Sequence, residues 1–120
     1  MRWHLPPALP GLVCLALVCL APLPAAAGQF MDGNKLLVLC TSPDPYNGLE
    51  CTGYIKGVAD AFIFQMDGAK RPLCMPDRVT AKELIDVTVR WLRGNPPELS
   101  YPAVATIGIA IAKQWKCGDQ

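Results

Sequence analysis

Apolar residues along this chain recur every three to four positions, and no stretch alternates with the period of two that a half-buried strand needs. Between Leu49 and Met66, the residues Cys51, Tyr54, Ile55, Val58, Phe62 and Gln65-Met66 return at helical spacing, which predicts a helix there. Gly53, Gly57 and Ala61 make a second stripe on it, spaced by four. Glycine inside a helix costs about 1 kcal/mol relative to alanine, so the stripe predicts a groove that another helix backbone approaches closely. A seam between two copies of the chain is the alternative. Leu84, Ile85, Thr88, Trp91 and Leu92 mark the next helix, with Asp86, Arg90 and Arg93 on its other face and an Asp86–Arg90 pair at i,i+4. Thr80-Ala81-Lys82-Glu83 reads as its capping box, with Val79 and Leu84 at the staple positions. Gly94 ends it and Pro96-Pro97 forbid continuation.

A last helix carries Val104, Ile107, Gly108, Ile111 and Trp115 as its stripe, with Gly108 and Ala112 leaving a small-residue groove. Ser100 is placed to cap it, Pro102 falls in its first turn, and it ends near Lys116-Cys117. Residues 33 to 40 predict one or two helical turns capped by Asp32 or Asn34, after a frayed start over Gly28 to Asp32. Thr41 to Gly48 and Asp67 to Arg78 hold the prolines and glycines of loops. The pattern predicts an all-α fold, a small bundle of about four helices without internal repeats.

The first residues have a different pattern. Arg2 precedes an apolar core from Leu9 to Leu23, broken by Pro10 and Pro22, and Ala25-Ala26-Ala27 supplies the small residues a signal peptidase reads. The core falls short of the roughly 20 residues that span a bilayer. Residues 1–27 are therefore expected to be a signal peptide cleaved after Ala27, leaving residues 28–120 as one exported domain with no membrane contact. Neither Cys14 nor Cys19 follows a lipobox, so no lipid anchor is expected.

Cleavage leaves Cys40, Cys51, Cys74 and Cys117, an even number in a short exported chain, which reads as a disulfide framework. Four cysteines allow three pairings. In an up-and-down bundle, Cys40 and Cys51 meet at one end across the intervening loop, while Cys74 and Cys117 fall at the other. Since bridged Cα atoms must lie within about 7 Å, Cys40–Cys51 with Cys74–Cys117 is the expected set. A four-cysteine zinc site is disfavoured, because zinc ligands come in close pairs.

Charge and chemistry narrow the function classes. Eleven Lys and Arg against ten Asp and Glu give a formal charge of +1, no footing for nucleic acid or a polybasic anchor. The single histidine, His4, lies in the leader, so no Ser-His-Asp or Cys-His arrangement can form afterwards. There is no phosphate-binding glycine loop and no H-E-x-x-H. Asp60, Asp67, Asp77, Glu83 and Asp86 could supply paired carboxylates, but Glu83 is spent on a cap and Asp60 reads as a solvated flank. Trp91 and Trp115 fall on apolar stripes and read as core. The expectation is a protein that is not an enzyme and takes no cofactor.

Cys51-Thr52-Gly53-Tyr54-Ile55-Lys56-Gly57-Val58-Ala59-Asp60-Ala61 resembles the C-x-G-Y-I-x-G-V-x-D-A signature of the Rap/Tai-type immunity proteins against type VI secretion amidases. Cys74-Met75-Pro76 with Val79-Thr80 resembles their C-x-P…V-T element, and Asn95-Pro96 the turn after their amphipathic helix. Ala110 through Trp115 with Cys117 is similar to their closing A-x-x-x-W-P-C, with Lys116 in place of the proline and Met75 in place of a branched aliphatic. The resemblance implies a periplasmic helical protein with structural disulfides, often a homodimer. Its partner would be a secreted cell-wall amidase whose cleft it occludes.

A surface that fills a cleft should be rigid and carry anchors. The first candidate is the turn Asn95, Pro96, Pro97, Glu98, Leu99, Ser100 and Tyr101, read as a protrusion; the second is Asp44 to Gly48, carrying Tyr46. A periplasmic scaffold or chaperone-like module without a toxin partner is the alternative function, and a cryptic hydrolase the least favoured.

Overall fold

The computed structural model describes residues 30–118; the expected signal peptide and its cleavage point lie outside the described residues. Four α-helices follow in order: α1 Gly33–Thr41, α2 Pro45–Gly68, α3 Ala81–Gly94 and α4 Ala103–Gln114. A short 3₁₀ turn, Pro96–Glu98, links the last two. Among the described residues the sole β-type pairing is an isolated bridge between Asp32 and Pro102. The all-α expectation holds.

The helix ends show which local signals decided. Asp32, not Asn34, caps α1: its carboxylate accepts from the Lys35 amide at 2.8 Å. The start of α2 corrects the expected loop over Thr41 to Gly48. Asp44 caps it at the Tyr46 amide (2.9 Å), and Pro45 takes the first helical position, where its fixed φ suits a helix and its missing N–H costs nothing. A proline read as a breaker is here a starter. The helix also runs on to Gly68, and Lys70 takes the left-handed conformation (φ 54°) as its exit.

The capping box on α3 is present. The Glu83 amide donates to Thr80 Oγ1 at 3.2 Å, and the Thr80 amide donates to Glu83 Oε2 at 2.7 Å. The Asp86 carboxylate, however, pairs with Lys82 at 2.6 Å rather than with Arg90. Ser100 does not cap α4: Pro102 precedes that helix without a side-chain cap, and its carbonyl accepts from Ala105 and Thr106. The expected frayed start over Gly28 to Asp32 is corrected at its last two residues, Met31 and Asp32, while Phe30 is exposed and Gly28 and Gln29 lie outside the described residues. Met31 is buried and its carbonyl accepts from the Ala103 amide at 3.0 Å.

The core gathers Leu36 and Leu39 of α1, Cys51, Ile55 and Ala59 of α2, Leu84, Val87 and Leu92 of α3, and Ala103, Ile107, Ala110 and Ile111 of α4. Each fully buried aliphatic among them contributes about 1.5–3 kcal/mol. The buried hydroxyls of Thr88 and Thr106 bond back to the Leu84 and Ala103 carbonyls at 2.8 and 3.0 Å. Val104, placed on the α4 stripe by spacing, is instead half exposed, and Ala110 takes the buried place. Ile107, Gly108 and Ile111 are buried as the spacing placed them, and Gly108 faces the Phe62 ring, 3.1 Å from where a β-carbon would sit.

Two disulfides clasp the bundle in the expected pairing. Cys40 of α1 joins Cys51 of α2 with Cα atoms 5.1 Å apart, and Cys74 joins Cys117 at 5.0 Å. All four thiols are thereby consumed, which removes the zinc reading.

Candidate partner-binding surface

The turn after α3 is fastened at both ends. At its start, Asn95 Nδ2 donates to the Trp91 carbonyl at 2.8 Å and closes the end of α3. Inside it, successive amides bond back three residues: Glu98 to Asn95, Leu99 to Pro96 and Tyr101 to Glu98, at 3.0 to 3.2 Å. Its far side is held by α1. The Gly33 amide donates to the Tyr101 carbonyl at 3.0 Å, and Asn34 gives both its amide and its side-chain nitrogen to the Leu99 carbonyl, at 2.9 and 3.1 Å. The expected free-standing protrusion is thus a strap laid across the first turn of α1. Pro96, Pro97, Ser100 and Tyr101 face solvent, Tyr101 at 52% exposure, while Glu98 and Leu99 are half buried.

The structure does not unite the two candidate segments. Tyr46 is 80% exposed, but it stands in the first turn of α2, just past the far end of α1. The nine residues of α1, about 13 Å of helix, separate it from the strap at the near end. Asn95 also differs from the sequence expectation: one N–H of its side-chain amide is engaged in closing α3, which fixes the group and leaves its second N–H and its carbonyl oxygen for a partner.

The small-residue stripe of α2 is a second correction. Gly53, Gly57 and Ala61 face solvent, and β-carbons on either glycine would meet nothing within 4 Å. Among the described residues no helix fills that groove. The reason is that α1, α3 and α4 all pack on the side of α2 carrying Cys51, Ile55 and Ala59. The uncovered face is bracketed by exposed aromatics, Tyr46 near its start and Phe64 (79% exposed) near its end, with exposed Leu49 between.

Between α2 and α4 runs an open groove of about 700 Å³, walled by Val58, Phe62, Met66, Val104 and Ile109, with Arg71 at its edge. Two smaller hollows flank Arg90 on α3, of about 450 and 200 Å³. Trp91 borders the smaller one, and its indole Nε1 is buried with no hydrogen-bond partner. A buried unmet donor costs about 1–3 kcal/mol. Sequence reading assigned Trp91 to the core and could not see this, because helical spacing places a ring without revealing what its nitrogen meets.

No group of three or more metal-ligating side chains occurs among the described residues, and no described helix is long and apolar enough to cross a membrane. Residues 32–117 match the family model of the Rap1a immunity proteins. The chain belongs to the Rap1a immunity protein family. The matched region begins at Asp32, the cap of α1, and ends at Cys117 of the second disulfide, so the Rap1a match covers all four helices and both clasps. No curated protein and no solved structure matches the chain.

Proposed function

We propose that this Rap1a-family chain is a periplasmic immunity protein that binds a secreted peptidoglycan amidase and occludes its active-site cleft by surface contact, without chemistry of its own. Family membership over residues 32–117 is the observation that carries the reading. The disulfides fit an exported protein, since such bonds persist in oxidising compartments. The strap from Asn95 to Tyr101 fits an inhibitor's anchor. Pinned by Gly33 and Asn34 before any partner arrives, it loses little conformational freedom on docking. Pro97, Glu98 and Tyr101 are its contact residues, Asn95 sets its exit from α3, and Tyr46 lies on a separate surface. The uncovered face of α2 is the surface a homodimer would use.

The test is calorimetry of the purified protein with the amidase effector encoded alongside it. Tyr101→Ala and Glu98→Lys should each weaken binding at least tenfold while leaving the helical spectrum and melting temperature near those of the parent. Unchanged affinity in both would remove the strap from the interface, and no binding by the parent would remove the amidase.

A further inference from the structure

We infer that the face of α3 and α4 around Arg90 is a docking surface for carboxylates on an acidic protein partner. The inference rests on the immunity reading above and adds a second contact region to it, one whose attraction is electrostatic. Charge on α3 is unevenly settled. The exposed acids of that helix are Glu83 and Asp86, and both are engaged: Thr80 holds Glu83 and Lys82 holds Asp86 at 2.6 Å. Arg90, Arg93 and Lys113 are all exposed, and no ion pair reaches them among the described residues.

Arg90 stands between the two hollows: it shares the larger with Arg93, Ile85, Val89 and Asp86, whose charge Lys82 meets, and the smaller with Lys113, beside Val87 and Ala110. Cations set in hollows with apolar walls attract an anion more strongly than cations on an open surface, because less water screens them. Helix dipoles favour the placement of Arg93 and Lys113 in last turns. They do not explain Arg90, or why the three cations converge on two hollows.

Trp91 lines the smaller hollow beside Lys113 and Gln114, and its indole nitrogen is buried beneath that lining without an acceptor, so its N–H signal reports on the site. Asn95 lines the same hollow and begins the strap, so the basic face continues the proposed contact surface rather than forming a separate one. A nucleic acid fits less well. A backbone of regularly spaced phosphates needs an extended run of cations, whereas here they converge on two separate hollows.

An NMR titration of the oxidised protein with an acetylated, amidated hexaglutamate peptide tests this, with hexaglutamine as the neutral control. Hexaglutamate should shift the Trp91 indole N–H and the Arg90 and Arg93 side-chain N–H signals saturably, and more weakly as salt rises. Arg90→Glu with Lys113→Glu should weaken binding at least fivefold. Lys56→Glu with Lys70→Glu, the same charge change on and just after α2, should change it less than twofold. Absence of a saturable shift, equal loss in both double variants, equal shifts by hexaglutamine, or stronger binding of a short oligonucleotide would each overturn the inference. With the amidase itself, the Arg90 and Lys113 variant should associate at least fivefold more slowly at low salt. An amidase bound at an unchanged rate would overturn this surface and leave the immunity reading standing. An amidase not bound at all would sink that reading, and the peptide titration would then decide the surface alone.

Discussion

Gly33 lies against Leu99 so closely that a β-carbon on it would stand 2.9 Å from the Leu99 carbonyl oxygen and 3.0 Å from its Cα. Both neighbours are backbone and cannot swing aside. Gly33→Ala should therefore destabilise the protein by about 1–3 kcal/mol, the range for an overpacked site, although alanine is ordinarily the better helix residue. Urea unfolding measures this. Hydrogen exchange at Gly33 and Asn34, whose amides hold the strap, should accelerate in parallel.

The two disulfides should differ in worth. Cys40–Cys51 closes a separation of 11 residues and Cys74–Cys117 one of 43. In the chain-entropy account these correspond to about 3 and about 4 kcal/mol. Cys74→Ser with Cys117→Ser should lower the urea midpoint more than Cys40→Ser with Cys51→Ser, once the cavity left at buried Cys51 is allowed for by a Cys→Ala comparison. An equal fall for both pairs would show that loop length does not govern the difference.

Gly57 offers the opposite sign from Gly33. It sits mid-helix on the open face of α2 with nothing within 4 Å. Gly57→Ala should raise monomer stability by up to about 1 kcal/mol. Gly57→Leu keeps the fold, and if a second copy packs on this face it should shift the light-scattering mass from dimer to monomer. A mass unaffected by leucine would place any dimer seam elsewhere.

Acid should loosen the start of α3. The Thr80 amide, and after it the Thr80 hydroxyl, donate to the Glu83 carboxylate and hold its pKa below the ordinary value. A carboxylate with a depressed folded-state pKa contributes its stability in full above the unfolded-state value and loses it as pH falls through the folded value. Stability should therefore decline with acidification through that window. Glu83→Gln, which can still reach the Thr80 amide, should flatten the decline in chemical unfolding measured stepwise from neutral to acid pH.

The strap and the charge pair on α3 show how far local reading reaches. Asn95-Pro96-Pro97 announced a rigid connection, because proline fixes φ wherever it stands. Its being tied down by Gly33 and Asn34, more than 60 residues away along the chain, depends on partners that no local pattern names. Asp86 had basic residues four positions away on either side, Lys82 and Arg90. Spacing alone could not choose between them.

From the sequence alone came the four helices, the capping box of Thr80 and Glu83, the cysteine pairing and the family. Each rests on short-range periodicity, cap chemistry or the order of motifs, which a linear chain carries in full. The covered side of α2, by contrast, was decided only when α1, α3 and α4 had packed. Gly53, Gly57 and Ala61 offered a groove as good as any, but three short helices cannot wrap both sides of a longer one. They took the side where Cys51, Ile55 and Ala59 remove apolar surface from water and where a bond to Cys40 holds α1 in place.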